Sequence, residues 1–290
     1  MCTSVNCQLS LYADDSALFF AHKDASVIGE TLSSELSNCK KWLVDNKLSL
    51  HVGKTECLLF GSKSRLKRAG DFRVFCEGMA VQRVHHVKYL GCYLDDSLSG
   101  SIHVGNVLKT CAGRLAFLYR NSKFLDFWTR KTLCMSLIQP YLDYCSSSWY
   151  EGLTVMYKNR LDVLQRKMTR FVFGFDFRHH VGPREYFSLS WLTIPDRVRY
   201  FRLIHLFKIK HGLAPRYLQR NIQSVSDTHS YNTRGSTSNF HVSRSLSSTP
   251  SAFAYSCVKN WNELPNRLKS IESLAIFKRD LKAFLLSSYD

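Results

Sequence analysis

The chain has 290 residues, 45% hydrophobic and 22% charged, enough apolar material for about two folded domains and unlike a disordered or fibrous polypeptide. Lys and Arg outnumber Asp and Glu by 40 to 23, a formal net charge of +17, and such a surplus favours polyanionic partners through steering and counterion release. No apolar run reaches the length of a membrane span, residues 1–20 lack the basic start and apolar core of a secretion signal, and the ten cysteines contain no CxxC pair, so reduced thiols in an intracellular chain, nuclear or cytoplasmic, are expected in place of a zinc site or disulfide frame.

The predicted elements begin at once. Leu9, Leu11 and the run Ala17–Ala21 flank Asp14-Asp15 and read as a strand–turn–strand hairpin. From Asp24 to Asn46 the period changes: Ile28, Leu32, Leu36, Cys39 and Leu43 form one apolar stripe of an amphipathic helix, with Asp24 and Ser26 as candidate N-caps. Leu48–Val52 alternates as a strand, Glu56–Phe60 is a second, and Ser62–Gly70 is polar and basic like a loop. Phe72–Cys76, Met79–Val81 and Val87–Leu94 read as further short strands. Residues 1–97 are therefore expected to be α+β, with antiparallel strands covered by a helix on one face.

After Gly100 the periodicity is helical. Candidate helices are Ile102–Arg120, Phe127–Tyr144, Thr154–Phe173 and Pro195–His211, the last stopped by Gly212 and Pro215. Residues 223–252 are rich in Ser, Thr and Asn, a linker signature. A final helix is expected over Ser270–Leu286, with Leu274, Phe277, Leu281 and Leu285 on one face. Charge follows this division: residues 1–100 carry 12 basic and 11 acidic side chains, whereas residues 101–225 carry 20 and 7.

Two features carry chemistry. Asp14 and Asp15 are adjacent carboxylates in a tight turn, and like charges so close need compensation. A pair of divalent ions bridged by hard oxygen ligands, as in nucleotidyl transfer, supplies it; an ordinary surface turn is the alternative, since Asp is a frequent turn residue. The second feature is the basic segment, where Arg166 and Arg170 lie one helical turn apart with Lys167 beside them, a spacing that can follow a phosphate backbone; a solvated charged face is the alternative. Phe171, Phe173, Phe175 and Phe177 alternate just beyond, where base stacking competes with burial in a strand or turn. His85-His86 and His179-His180 lack further ligands at metal spacing, and no Ser–His–Asp nucleophile motif occurs.

Leu11-Tyr12-Ala13-Asp14-Asp15-Ser16-Ala17-Leu18-Phe19 closely resembles the catalytic hairpin of reverse transcriptases, in the form found in non-LTR (LINE-type, jockey-like) retrotransposons. The resemblance continues in family order along nearly the whole chain. Trp42-Leu43, Asn46–Leu50 and Lys54-Thr55-Glu56 look like the helix and strand after that hairpin, and Val87–Asp95 like the strand pair that grips the primer. Leu137–Tyr144 and Leu164–Lys167 resemble the thumb and the helices beyond it. Leu213–Leu218, Thr233-Arg234-Gly235 and Trp261–Pro265 resemble the C-terminal tail of jockey-like elements.

The resemblance implies a partial polymerase palm over 1–97, a basic helical thumb and post-thumb region over 98–222, and a linker with a helical tail over 223–290. It implies that Asp14 and Asp15 bind metal, Asp14 directly and Asp15 in support. Lys54 would neutralise or protonate the leaving pyrophosphate, against an ordinary solvated lysine as the alternative. Tyr89, Leu90 and Gly91 would position the primer 3′ end, against a strand with a glycine bulge. Expected partners are an RNA template, a DNA primer or target and dNTP, with no membrane. Mg²⁺ (or Mn²⁺) is expected only in the complete enzyme. In that family a third carboxylate, the basic fingers and an endonuclease precede the position of Tyr12. The expectation is therefore a truncated RNA-directed DNA polymerase, catalytically incomplete alone, with a non-enzymatic basic nucleic-acid-binding remnant as the alternative.

Overall fold

The computed structural model describes residues 7–222, 224–225, 239–241 and 253–289. They form an α+β, mostly helical chain that divides into two units, residues 1–102 and 103–290. The predicted linker, including Thr233-Arg234-Gly235, lies largely outside the described residues.

In the first unit, strand β1 (Gln8–Tyr12) pairs antiparallel with β2 (Asp15–Phe19), in register from Gln8↔Phe19 to Tyr12↔Asp15. Helix α1 (Ala25–Asp45) follows where its stripe predicts, and the Asp24 side chain caps it by accepting from the Ser26 N–H at 3.0 Å. Gly29 lets this helix approach a neighbouring backbone closely: a Cβ there would lie 2.6 Å from the Arg73 carbonyl oxygen. One turn later the Phe75 N–H donates to Ser33 Oγ at 2.8 Å. Leu36 packs with Phe72, Val74, Cys76 and Val81 into a small core, flanked by half-buried Leu18, Ile28 and Leu32.

The expected continuous antiparallel sheet does not form among the described residues. The remaining strands are β3 (Glu56–Cys57), β4 (Phe75–Cys76), β5 (Met79–Ala80), β6 (Gln82–Arg83), β7 (His86–Tyr89) and β8 (Cys92–Asp95). With the first hairpin they make four separate two-stranded ladders, of which β3–β6 is parallel. Positive φ angles explain the separation. Glu77-Gly78 (φ +49 and +80) and Leu90-Gly91 (φ +45 and +81) fold each apolar run back on itself, so it pairs with its own continuation. Leu48–Val52 is not a strand: Lys47 leaves α1 with φ +59, and the chain runs into a 3₁₀ turn at Val52–Lys54. Ser62–Gly70 is not a loop throughout, because Ser62 Oγ accepts from the Arg65 N–H and starts helix α2 (Lys63–Arg68).

The second unit is helical, entered through α3 (Ser101–Arg120). The expected helix over Phe127–Tyr144 is broken into α4 (Phe127–Leu137) and α5 (Gln139–Asp143). Pro140 has no N–H and disfavours helical backbone before it. Short α6 (Ser146–Trp149) precedes α7 (Val155–Phe173), which Gly174 closes at φ +73. Helix α8 (Pro183–Leu189) leads to α9 (Ile194–Lys210), capped by Thr193 and carrying Pro195 in its first turn. Helices α10 (Phe253–Asn262), α11 (Asn266–Lys269) and α12 (Leu274–Leu286) follow among the described residues. Leu203, Leu206 and Phe207 of α9 pack on Trp261, Phe277, Leu281 and Leu285. Phe277 stacks on Phe207 with ring centres 4.5 Å apart. The chain end is pinned to this body by Tyr289, whose hydroxyl meets the Thr193 N–H at 2.8 Å and the Asp196 carboxylate. Burial with this carboxylate beside it pushes the phenol up.

Candidate functional site

The Tyr12–Asp15 turn is a two-residue hairpin loop, Ala13-Asp14. Ala13 takes φ +52, a left-handed conformation that non-glycine residues rarely adopt. Tyr12, Asp14 and Asp15 are all solvent-exposed, so the turn presents both carboxylates outward. Cross-strand pairing decides what shares their face. Side chains alternate along a strand, so the pairs Gln8↔Phe19, Ser10↔Ala17 and Tyr12↔Asp15 lie on one face, and Leu9↔Leu18 on the other, toward the core.

Tyr89 docks on the face of Tyr12 and Asp15. Its hydroxyl shares a 2.9 Å hydrogen bond with Ser10 Oγ, and its ring meets Phe19 edge-on, centres 6.4 Å apart. Leu90 and Gly91 form the two-residue turn of the β7–β8 hairpin, both with positive φ. The local structure is thus a hairpin turn and not a strand with a bulge. The carboxylate hairpin and the Tyr89–Gly91 hairpin, distant in sequence, stand side by side in one unit.

Lys54 ends the Val52–Lys54 turn and is exposed. No hydrogen bond or ion pair joins it to Asp14 or Asp15 among the described residues. Nor is there, among those residues, any group of three His, Cys, Asp or Glu side chains placed to hold a metal ion. Two adjacent exposed carboxylates do not complete a two-metal site.

Asp95 has no role of its own in the sequence reading, where it only ends the Val87–Asp95 strand pair. Buried at the end of β8, it accepts from the N–H and Oγ of Ser97 and Ser99 and from the Gly100 N–H. Burial works to raise its pKa, but the Ser99 N–H, the Ser97 and Ser99 hydroxyls and the Gly100 N–H outweigh it and hold the carboxyl below its ordinary range. The Asp-x-Ser-x-Ser spacing was the available signal.

The basic residues separate by helix face. Lys167 and Arg170 line a groove of about 780 Å³ between α3 and α7, joined there by Lys109 and Arg160, which sequence reasoning missed. Arg166 does not line it; this half-buried residue faces Asp162, one turn earlier, and Tyr186. Arg160, Lys167 and Arg170 follow a helical phase of seven and three residues, a signal that was present. Tyr119 ties the two helices by donating to the Lys167 carbonyl at 2.9 Å. The alternating phenylalanines split as well. Phe171 is buried, Phe173 stacks on Phe175 at 4.8 Å, Phe175 stacks on His179 at 3.9 Å, and Phe177 is 74% exposed at the groove edge.

No family model matches this chain, and no solved structure matches it. It is similar to the 115 kDa protein of the type-1 retrotransposable element R1DM of Drosophila melanogaster, at 26% identity over 148 residues. The match takes in 50% of this chain but 14% of that protein. The similarity therefore points to a relative encoded by a retrotransposable element. No helix among the described residues is long and apolar enough to cross a membrane.

Proposed function

We propose that this chain carries the carboxylate hairpin and the primer-contacting hairpin of a non-LTR retrotransposon reverse transcriptase. Asp14 and Asp15 would contribute to the metal site, and Tyr89, Leu90 and Gly91 to holding the primer end. The observation that carries the reading is the docking of Tyr89 on the hairpin face that bears Asp15. The similarity to a retrotransposon-encoded protein supports it. Mg²⁺ or Mn²⁺ belongs to this reading only where a further carboxylate completes the pair, and Lys54 only as a leaving-group contact formed with substrate.

The test is binding of a DNA primer annealed to an RNA template, with a recessed or a blunt 3′ end, followed by fluorescence anisotropy. The recessed end should bind on the order of tenfold tighter, about 1.4 kcal/mol, and Tyr89→Ala should remove the preference. Equal affinity for both ends contradicts the reading. Primer extension with Mg²⁺ should give no incorporation by this chain; incorporation abolished by Asp14→Ala would show a complete site instead. The basic groove favours a second reading, a nucleic-acid-binding module without catalysis, under which affinity falls with salt but ignores the primer end.

A further inference from the structure

The groove between α3 and α7 combines two chemistries in one place. Its rim carries Lys109, Arg160, Lys167 and Arg170, with no acidic side chain lining it. None of these four forms an ion pair among the described residues, and Arg170 is held in position by donating from Nε to the His179 carbonyl at 2.8 Å. Its floor is apolar, lined by buried Leu115 and Leu164 with Leu108 and Val163 beside them. Phe175 and Phe177 stand at one end. Its volume of about 780 Å³ falls within the roughly 300–1,000 Å³ of clefts that enclose small ligands.

A duplex matches only half of this. It presents phosphates outward and keeps its base faces stacked inside, so an apolar floor and the open ring of Phe177 would find nothing to cover. Unpaired nucleotides match both halves: phosphates meet the four cations while base faces lie on Phe177 and the floor, with Phe175 held in its own stack between Phe173 and His179. We infer that this groove binds a single-stranded segment of nucleic acid, with the bases turned inward. The inference deepens the proposed function, because it names the strand type taken by the basic segment, but it rests on residues 105–177 and not on the carboxylate hairpin.

The experiment uses the full chain and three fluorescent probes, a 12-mer of dT, a 12-mer of rU and a duplex of equal length. The single strands should bind more tightly than the duplex, with a log–log salt slope near about −3, as four neutralised phosphates give. Arg160→Ala with Lys167→Ala should weaken single-strand binding at least tenfold and flatten the slope by about 1.4. Phe177→Ala, at a 74% exposed ring, should weaken it severalfold with the slope unchanged. Arg166→Ala, off the groove, should leave it as it was. Val163→Asp, at a 41% exposed position, adds a charge to the floor without a cavity and should also weaken binding, so the test holds even if one basic variant unfolds. Tighter binding of the duplex, or equal losses for Arg166→Ala and the groove variants, would overturn the inference. Neither result bears on the recessed-end preference assigned to Tyr89, so the two proposals fail separately.

Discussion

The two units bury their side chains in different ways. Among the described residues, every one of the largest fully buried side chains, from Ile138 through Phe207 to Trp261 and Leu281, belongs to residues 103–290. Residues 1–102 hold a small core around Leu36, Phe72 and Val74, and four two-stranded ladders with open edges. The residues that suggest chemistry, Asp14, Asp15 and Tyr89, stand on the lightly packed unit, whereas the basic groove stands on the deeply packed one. Catalytic geometry needs rigid support, but a groove that tracks a flexible strand tolerates less of it. The contrast predicts that the groove remains functional under conditions in which the carboxylate hairpin has lost its order.

That contrast can be broken by mutation, and the largest effect should come from the helical core. Phe277→Ala removes a fully buried ring stacked on Phe207 and close to Trp261, and should cost about 3–5 kcal/mol in denaturant unfolding followed by tryptophan fluorescence. Asp95→Asn comes next, at about 2–3 kcal/mol, because several donors lose a charged acceptor in a buried place. Its pH dependence has a definite sign. The folded pKa lies below the unfolded value of about 3.9, so the stability is present above that value and is lost as pH falls through the folded pKa. Acid unfolding of the first unit, followed by circular dichroism, should lose this component in Asp95→Asn. Tyr289→Phe should cost the second unit about 1 kcal/mol, one hydrogen-bonded hydroxyl. Tyr89→Phe removes only the Ser10 contact and should cost the first unit about 0.5–1 kcal/mol, detectable as faster amide exchange in β1 and β2. If Phe277→Ala unfolds both units together, the separation drawn between them is wrong.

Much of this architecture was legible in the sequence because local signals agreed with one another. Asp24 marked the start of α1, and the stripe from Ile28 to Leu43 gave its length. Pro195 and Gly212 bounded α9 close to where it lies. The hairpin around Asp14 was readable because apolar residues flank its turn, although the two-residue loop is Ala13-Asp14 and Asp15 already belongs to β2. Periodicity failed where backbone chemistry overrode it. The apolar spacing from Phe127 to Tyr144 continues through Pro140, but the helix does not. The strands of the first unit were read as one sheet because their pattern records which residues alternate and not which strands pair. Leu90 with φ +45 gives no local sequence signal of its own; Gly91 beside it was the clue. The groove was hidden for a similar reason. Lys109 and Arg160 come to line one groove only when α3 packs on α7, and the one-turn spacing of Arg166 and Arg170 brought in Arg166, which faces Asp162.

The central claim, that the carboxylate hairpin and Tyr89 together meet the end of a primer, is tested most directly by photo-crosslinking. A DNA primer ending in 4-thiothymidine, annealed to an RNA template and irradiated in complex with the full chain, should label peptides containing Tyr12–Ser16 and Lys88–Gly91, as read by mass spectrometry. Crosslinks confined to residues 103–290, with neither hairpin labelled, would contradict it.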